Sequence, residues 1–347
     1  MEVNEKFMRR ALQLAKAGRG FVSPNPMVGA VVVGSDGQII GEGYHRQFGG
    51  PHAEVNAIAA VADPRLLAGA TLYVTLEPCS HYGKTPPCAK MIIDKGIRRV
   101  AVGASDPFPR VRGRGVATLR QAGVEVVEGV LAEECEALNV GFMTAHKKGR
   151  PHVLLKWAQS SDRYLDGPRR EPGGKAAQIS TPLTLTLMHR LRAAADAILV
   201  GAGTARLDDP SLTARLWPCR RQPLRVLLDR DLSAPAGRRL LADGRPTIVY
   251  NSLREGTDGA VTYAVAADLR DILADLYSNR AVTSLMVEGG ANVLRQFIDA
   301  GLWDQARVET GPEPLAGGTP APVVKGVVTR ATRHGGNTIE WIANSVK

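Results

Sequence analysis

Strand-length apolar runs alternate with helix-length amphipathic runs along this chain, and they do so twice, on either side of one polar break. VGAVVVG (28–34) and QIIGEGY (38–44) flank Ser35-Asp36-Gly37 and read as a hairpin. HAEVNAIAAV (52–61) reads as a helix, TLYVTLE (71–77) as a strand, and CAKMIIDKG (88–96) as a helix closed by Gly96. RRVAVGA (98–104) and VEVVEG (124–129) read as strands with a helix between them ending near Gly123, and 131–143 as a last helix. A leading amphipathic helix sets Phe7, Met8, Ala11, Leu12 and Ala15 on one stripe, with Gly18 as its stop. This order predicts a three-layer α/β domain over residues 1–146. His146-Lys147-Lys148-Gly149-Arg150-Pro151 is the break, and residues 151–347 form a second α/β domain. Its strands are expected at 152–158, 197–202, 224–229, 246–250, 283–288, 305–310 and 338–343, and its helices at 182–193, 268–278 and 291–300. Residues 163–177 and 312–322 are Gly/Pro-rich loops.

Charge and cysteine content narrow the function classes. The formal charge is +10, from 44 Lys and Arg against 34 Asp and Glu. It is spread over short pairs such as Arg98-Arg99, Arg169-Arg170 and Arg220-Arg221, which suits small phosphorylated ligands better than nucleic acid. No apolar run approaches the ~18–20 residues of a membrane span. The N-terminal residues lack the apolar core of a signal peptide, so the expectation is a cytoplasmic protein without a membrane partner. Four cysteines in such a chain point to metal or catalysis before disulfides. Cys135, in a helical pattern, and Cys219, in a Pro- and Arg-rich loop, read as structural or incidental thiols.

The other two cysteines belong to a constellation. Pro51-His52-Ala53-Glu54, Pro78-Cys79 and Pro87-Cys88 lie within 38 residues. One imidazole and two thiolates make a three-ligand zinc site with an open fourth position, the pattern of catalytic zinc. Zinc lowers the pKa of a water there from ~15.7 to about 7. Glu54, two residues past His52, can reach that water without binding the metal and act as general acid–base. His52 and Cys88 each open a helix, where backbone N–H groups favour thiolate. The pattern matches the zinc deaminase signature, H-x-E followed by P-C-x-x-C, except that eight residues separate Cys79 from Cys88.

That intervening loop carries a resemblance. Thr75-Leu76-Glu77-Pro78-Cys79-Ser80-His81-Tyr82-Gly83-Lys84-Thr85-Pro86-Pro87-Cys88 closely resembles the deaminase half of the bifunctional deaminase–reductases of riboflavin biosynthesis. The likeness extends to Ser23-Pro24-Asn25-Pro26-Met27-Val28-Gly29, Gly43-Tyr44-His45, Leu155-Lys156-Trp157-Ala158-Gln159-Ser160, DAILVGAGTARLDDPSLTAR (196–215) and Val287-Glu288-Gly289-Gly290. It implies a cytidine-deaminase-like first domain and a dihydrofolate-reductase-like second domain. The first would remove the 2-amino group of 2,5-diamino-6-(5-phosphoribosylamino)pyrimidin-4-one with Zn2+. The second would use NADPH to reduce the ribosyl group to ribityl. By the resemblance Asn25, His45 and Lys84 contact the deaminase substrate. Lys156, Arg192, Leu212, Arg215 and Glu288 contact the reductase substrate, with Arg192 and Arg215 on its phosphate. Gln159, Gly203, Thr204, Asp208, Gly289 and Gly290 contact the cofactor. The partners implied are a small phosphorylated pyrimidine and further copies of the chain in a homo-oligomer.

Read from its own residues, the second domain has an apolar strand running into Gly201-Ala202-Gly203-Thr204, with Arg206 where a dinucleotide fingerprint wants its third glycine. At Gly289-Gly290 a strand ends, two glycines permit close backbone approach, and a helix begins near 291. Two positions depart from the family pattern: Arg163 stands where the family has glycine, and Gln178 stands where it often has tryptophan. Two rival readings differ in class. One is a nucleic-acid base deaminase, against which stand the eight-residue loop and the second domain. The other makes the C-terminal half a nucleotide-binding module without chemistry.

Overall fold

Apolar side chains occupy both faces of the first strand, and that decides how the N-terminal half is layered. The computed structural model describes residues 3–80, 86–108, 112–168 and 176–345, in two compact units, Met1–Gly149 and Arg150–Lys347. The first unit runs α1 (Glu5–Ala15), β1 (Gly29–Val33), β2 (Ile39–Tyr44), α2 (Ala53–Ala59), β3 (Thr71–Leu76), α3 (Cys88–Asp94), β4 (Arg99–Ala104), α4 (Arg114–Gln121), β5 (Glu125–Val127), α5 (Ala132–Leu138) and α6 (Val140–Lys148). The sheet order is β2-β1-β3-β4-β5, with β1 antiparallel to β2 and β3, and β3, β4 and β5 parallel. Ala30 and Val32 pack with Ala57, Ile92 and Leu119 of α2, α3 and α4. Val31 and Val33, one residue out of phase, pack with Met8, Cys135 and Met143 of α1, α5 and α6. The three expected layers follow from that alternation.

One expectation is corrected. The helix read over 131–143 is two helices that meet at Asn139. The Asn139 side chain accepts from the Met27 amide and donates to the Met27 carbonyl, each at 2.8 Å. A buried amide pairing with the segment that leads into β1 wins over helix continuity. α6 then runs on through Lys148 to Gly149, at φ +65°, so the polar stretch at 146–148 is a final helical turn. Cys135 is buried in the core, and burial pushes its thiol up to about 12, which makes it an inert structural residue.

The second unit runs β6 (His152–Gln159), β7 (Tyr164–Asp166), α7 (Pro182–Ala194), β8 (Ala197–Gly201), α8 (Ala202–Asp208), β9 (Leu224–Leu228), α9 (Arg239–Ala242), β10 (Thr247–Asn251), β11 (Gly256–Asp258), β12 (Val261–Val265), α10 (Leu269–Ser278), β13 (Ser284–Val287), α11 (Ala291–Asp299), β14 (Gln305–Thr310), β15 (Thr319–Pro320), β16 (Gly326–His334) and β17 (Asn337–Asn344). Ten strands form one mixed sheet in the order β11-β12-β10-β9-β8-β13-β6-β14-β17-β16. From β12 to β14 the neighbours are parallel, and the outer pairs are antiparallel. Helices cover both faces: α10 and α11 pack on Leu155, Leu199 and Val287, while α8 and α9 pack on Ile198, Leu227 and Met286.

The sequence pattern misses β11, β12 and β16, and the short ladder of β7 with β15 inside the Gly/Pro-rich loops. β16 is exposed along most of its length, so it has no apolar alternation to betray it. The Gly201-Thr204 stretch is also corrected. It is not a free turn, because α8 begins at Ala202 and takes Gly203 and Thr204 into its first turn. No helix among the described residues is long and apolar enough to cross a membrane.

Candidate functional site

Three chain segments meet at the carboxyl end of β3. His52 is the N-cap residue of α2, held extended at φ −69° and ψ 166° by the segment that follows Pro51. Cys79 follows the end of β3, and Cys88 is the first residue of α3. Their order is locked by backbone bonds: the Ala89 amide donates to the Cys79 carbonyl at 3.1 Å, and the Cys88 amide donates to the Cys79 Sγ at 3.3 Å. The β3 end is anchored too. Glu77 is buried and accepts from the amides of Gly113, Gly115 and Val116, tying it to the start of α4.

The donor atoms converge. His52 Nδ1 lies 3.3 Å from Cys88 Sγ and 3.6 Å from Cys79 Sγ, and all three atoms lie within 4.8 Å of one another. Tetrahedral zinc with ordinary Zn–S and Zn–N bonds sets such donors about 3.5–3.8 Å apart. The residues present therefore fit a three-ligand zinc site. With no metal between them, the three donors share protons, which a bound cation would displace. A hydrogen bond with Cys88, and then one with His52, hold the Cys79 thiol well below its ordinary value against burial, the direction a thiolate ligand needs. Cys88, which supplies the proton of that bond, is pushed well up. His52 is raised to about 9 by its bond to Cys79.

Glu54 sits in the first turn of α2, only 3% exposed, and burial raises its carboxyl above the usual carboxylate range. Asn25 and His45 lie beside this centre. The His45 ring is 5.6 Å from that of His52, edge-on. Its Nδ1 pairs with the Pro51 carbonyl at 3.0 Å and its Nε2 with Asn25 Nδ2 at 3.2 Å. The carbonyl can only accept, so Nδ1 carries the proton and Nε2 accepts from the asparagine. Lys84, like His81, lies outside the described residues.

The C-terminal candidates gather around the carboxyl ends of the parallel strands. Arg192 of α7 forms a two-pronged pair with Glu288, just past β13, at 2.6 and 2.5 Å, and its Nη1 donates to the Thr213 carbonyl at 3.1 Å. Both side chains are buried, so the guanidinium is committed inside the protein, whereas Arg215 is exposed. Lys156 on β6 faces this pair, and burial holds its ammonium below the usual value. Leu212 is buried at φ +48°. Gln159 spends its amide internally, accepting from Trp157 Nε1 at 2.8 Å and donating to Thr310 Oγ1 at 3.3 Å. Gly289 presses on β8, where a Cβ would come within 2.7 Å of Val200. Gly290, at φ +61°, lies against Thr204, whose Oγ1 is 3.1 Å from where a Cβ would stand. Thr204 and Gly203 of α8 are thereby brought to the start of α11, while Asp208 is exposed at the far end of α8.

Both departures from the family pattern have local consequences. Arg163 occupies a left-handed turn at φ +65°, a conformation that favours glycine. Gln178 is exposed and folds back to donate to the Ser180 carbonyl at 2.7 Å. Sequence reasoning misses Arg307 and Glu309 on β14. Charges at alternate positions of a strand read as a solvent face, but this strand is buried on both.

Comparison with known proteins finds a known family for each unit. Residues 151–336 match the family described as the RibD C-terminal domain, and residues 1–104 match the cytidine and deoxycytidylate deaminase zinc-binding region. The chain is 41% identical to the riboflavin biosynthesis protein RibD of Aquifex aeolicus over 91% of this chain and 89% of that one. It is 36% identical to RibD of Escherichia coli, over 90% and 88%. Among solved structures it is similar to a diaminohydroxyphosphoribosylaminopyrimidine deaminase/5-amino-6-(5-phosphoribosylamino)uracil reductase from Thermotoga maritima, at TM-score 0.89 and 38% identity over 98% of both chains. Acinetobacter baumannii RibD aligns at TM-score 0.89 and 31% identity, again over 98% of both. With relatives this similar over nearly its whole length, the chain belongs to the RibD family of riboflavin biosynthesis proteins.

Proposed function

We propose that this chain carries out two consecutive reactions: hydrolytic deamination of 2,5-diamino-6-(5-phosphoribosylamino)pyrimidin-4-one in the N-terminal unit, and NADPH-dependent reduction of the ribosyl group to ribityl in the C-terminal unit. The observation that carries the reading is the convergence of His52 Nδ1 and the Cys79 and Cys88 sulfurs beside the buried carboxyl of Glu54.

His52, Cys79 and Cys88 would hold zinc, which when bound acidifies a water for attack at neutral pH. Glu54 takes one proton from the attacking water and passes it to the pyrimidine ring nitrogen, then takes the second from the newly added hydroxyl and delivers it to the departing amine, which leaves as ammonia. Its raised pKa suits a group that must both accept and release a proton. Asn25, fixed through His45 and the Pro51 carbonyl, presents its amide oxygen and remaining N–H to the substrate.

In the second unit NADPH supplies the hydride when bound. Gly289 and Gly290 bring the backbone close to the cofactor, with Gly203 and Thr204 beside them. Arg215 meets the substrate phosphate, and Arg192 holds Glu288 in place. Ammonia release from the diaminopyrimidine without NADPH, followed by NADPH oxidation once it is added, tests both halves. Ammonia without oxidation would leave the C-terminal unit a binding module.

A further inference from the structure

One buried charge is left over by this account. Arg307 on β14 is the register partner of Lys156 on the parallel strand β6, so the two side chains, with Glu309 two residues on, lie on one face of the sheet. Arg307 is 2% exposed and Glu309 is fully buried. Glu309 is well engaged: Asn337 Nδ2 donates to Oε1 at 2.6 Å, and Ser180 Oγ donates to Oε2 at 3.1 Å. Arg307 Nη1 stands 3.6 Å from that Oε2, an ion-pair distance. Neither Nη1 nor Nη2 has a hydrogen-bond partner among the described residues. A guanidinium brings five donors, and leaving buried ones unmade is costly. The charges that act on Arg307 and Lys156 are those of Glu288, Glu309 and Arg192, so three cations share this layer with two anions. Burial lowers the pKa of both Arg307 and Lys156.

We propose that Arg307 is a substrate-binding residue of the reductase, donating its two Nη groups to a ring carbonyl oxygen of the pyrimidinedione. The inference rests on the reductase reading given above. A neutral carbonyl has two lone pairs to take both N–H groups. A phosphate dianion at the same place would face the Glu288 and Glu309 carboxylates and lose its hydration. The cofactor is less suited, because the glycine-rich contacts proposed for it lie at 203–204 and 289–290, whereas Arg307 shares its layer with Lys156, Arg192 and Glu288.

The test uses the full chain with zinc and NADPH. Deaminated substrate, 5-amino-6-(5-phosphoribosylamino)uracil, is titrated calorimetrically into wild type and into the double variant Arg307→Met/Glu309→Gln, and KM and kcat are measured by NADPH oxidation. The double variant removes the ion pair together, so a purely structural Arg307 would leave affinity within about twofold. The proposal expects substrate Kd and KM to rise about tenfold or more, with the KM for NADPH unchanged and ammonia release in the first unit intact. If the double variant folds poorly, Arg307→Lys keeps the charge beside Glu309 but loses the fork, and the same rise in Kd is expected. Unchanged substrate affinity, or a loss of NADPH affinity instead, overturns the proposal. Wild type that binds substrate without oxidising NADPH would sink the reductase reading, while the Kd comparison still judges Arg307. Wild type that binds no substrate would sink both.

Discussion

Cys88 is both a helix start and a proposed metal ligand, so its replacement separates the two roles. Cys88→Ser keeps the size and a weak donor, but a hydroxyl is a poor zinc ligand beside a thiolate. Metal analysis is expected to find zinc near one per chain in wild type and a marked loss in this variant; full retention would contradict the ligand set. Glu54→Gln is expected to keep zinc and lose deamination by ~10²–10⁴-fold, because the near-isosteric amide cannot carry a proton. A different outcome is expected at Arg163. Its left-handed backbone costs a side-chain-bearing residue about 1–2 kcal/mol, and glycine gives back part of that as entropy. Arg163→Gly should therefore stabilise the second unit by about 0.5–1 kcal/mol in urea unfolding. The metal centre is legible in the sequence because His-x-Glu and two Pro-Cys pairs are local signals, each set at the start of a helix or the end of a strand. Arg307 is not legible, because its meaning depends on Lys156 of a neighbouring strand and Asn337 of another, more than twenty residues away in each case. The commitment of Arg192 to Glu288 is hidden for the same reason: the partners are 96 residues apart.

At the level of elements, periodicity reveals the helices and strands whose faces are buried, and it fails where burial is absent or where a side chain overrides it. The core strands of both units keep apolar residues in phase with a packed face, so their positions can be read directly. β16 and β11 cannot, since they are exposed. The break between α5 and α6 is a tertiary effect. Asn139 is 112 residues from Met27, yet its amide satisfies both backbone groups of that residue. Asn139→Ala is expected to cost about 1–3 kcal/mol, measured by urea unfolding, because it leaves the Met27 amide without its partner. Met27 follows Asn25 by two residues, so the same variant should also raise the KM of deamination. Loss of stability with an unchanged KM would confine Asn139 to a structural role.

Across the whole molecule the two proposed chemistries reside in different compact units, each with its own sheet and its own core. The first holds the carboxyl proposed to move protons and the proposed metal donors. The second holds buried ion pairs and glycine-rich turns, because hydride transfer needs orientation more than acid–base groups. A change confined to Glu54 should therefore stop one reaction and leave the other running. Mass spectrometry of the diaminopyrimidine incubated with the protein tests this most directly. Wild type without NADPH should yield a product about one mass unit heavier, an oxygen function in place of the amine, and with NADPH a product about two units heavier again. Glu54→Gln should leave the diaminopyrimidine unconverted, yet still reduce supplied deaminated substrate. Reduction lost together with deamination in that variant, or a wild-type protein that yields neither mass change, would contradict the account.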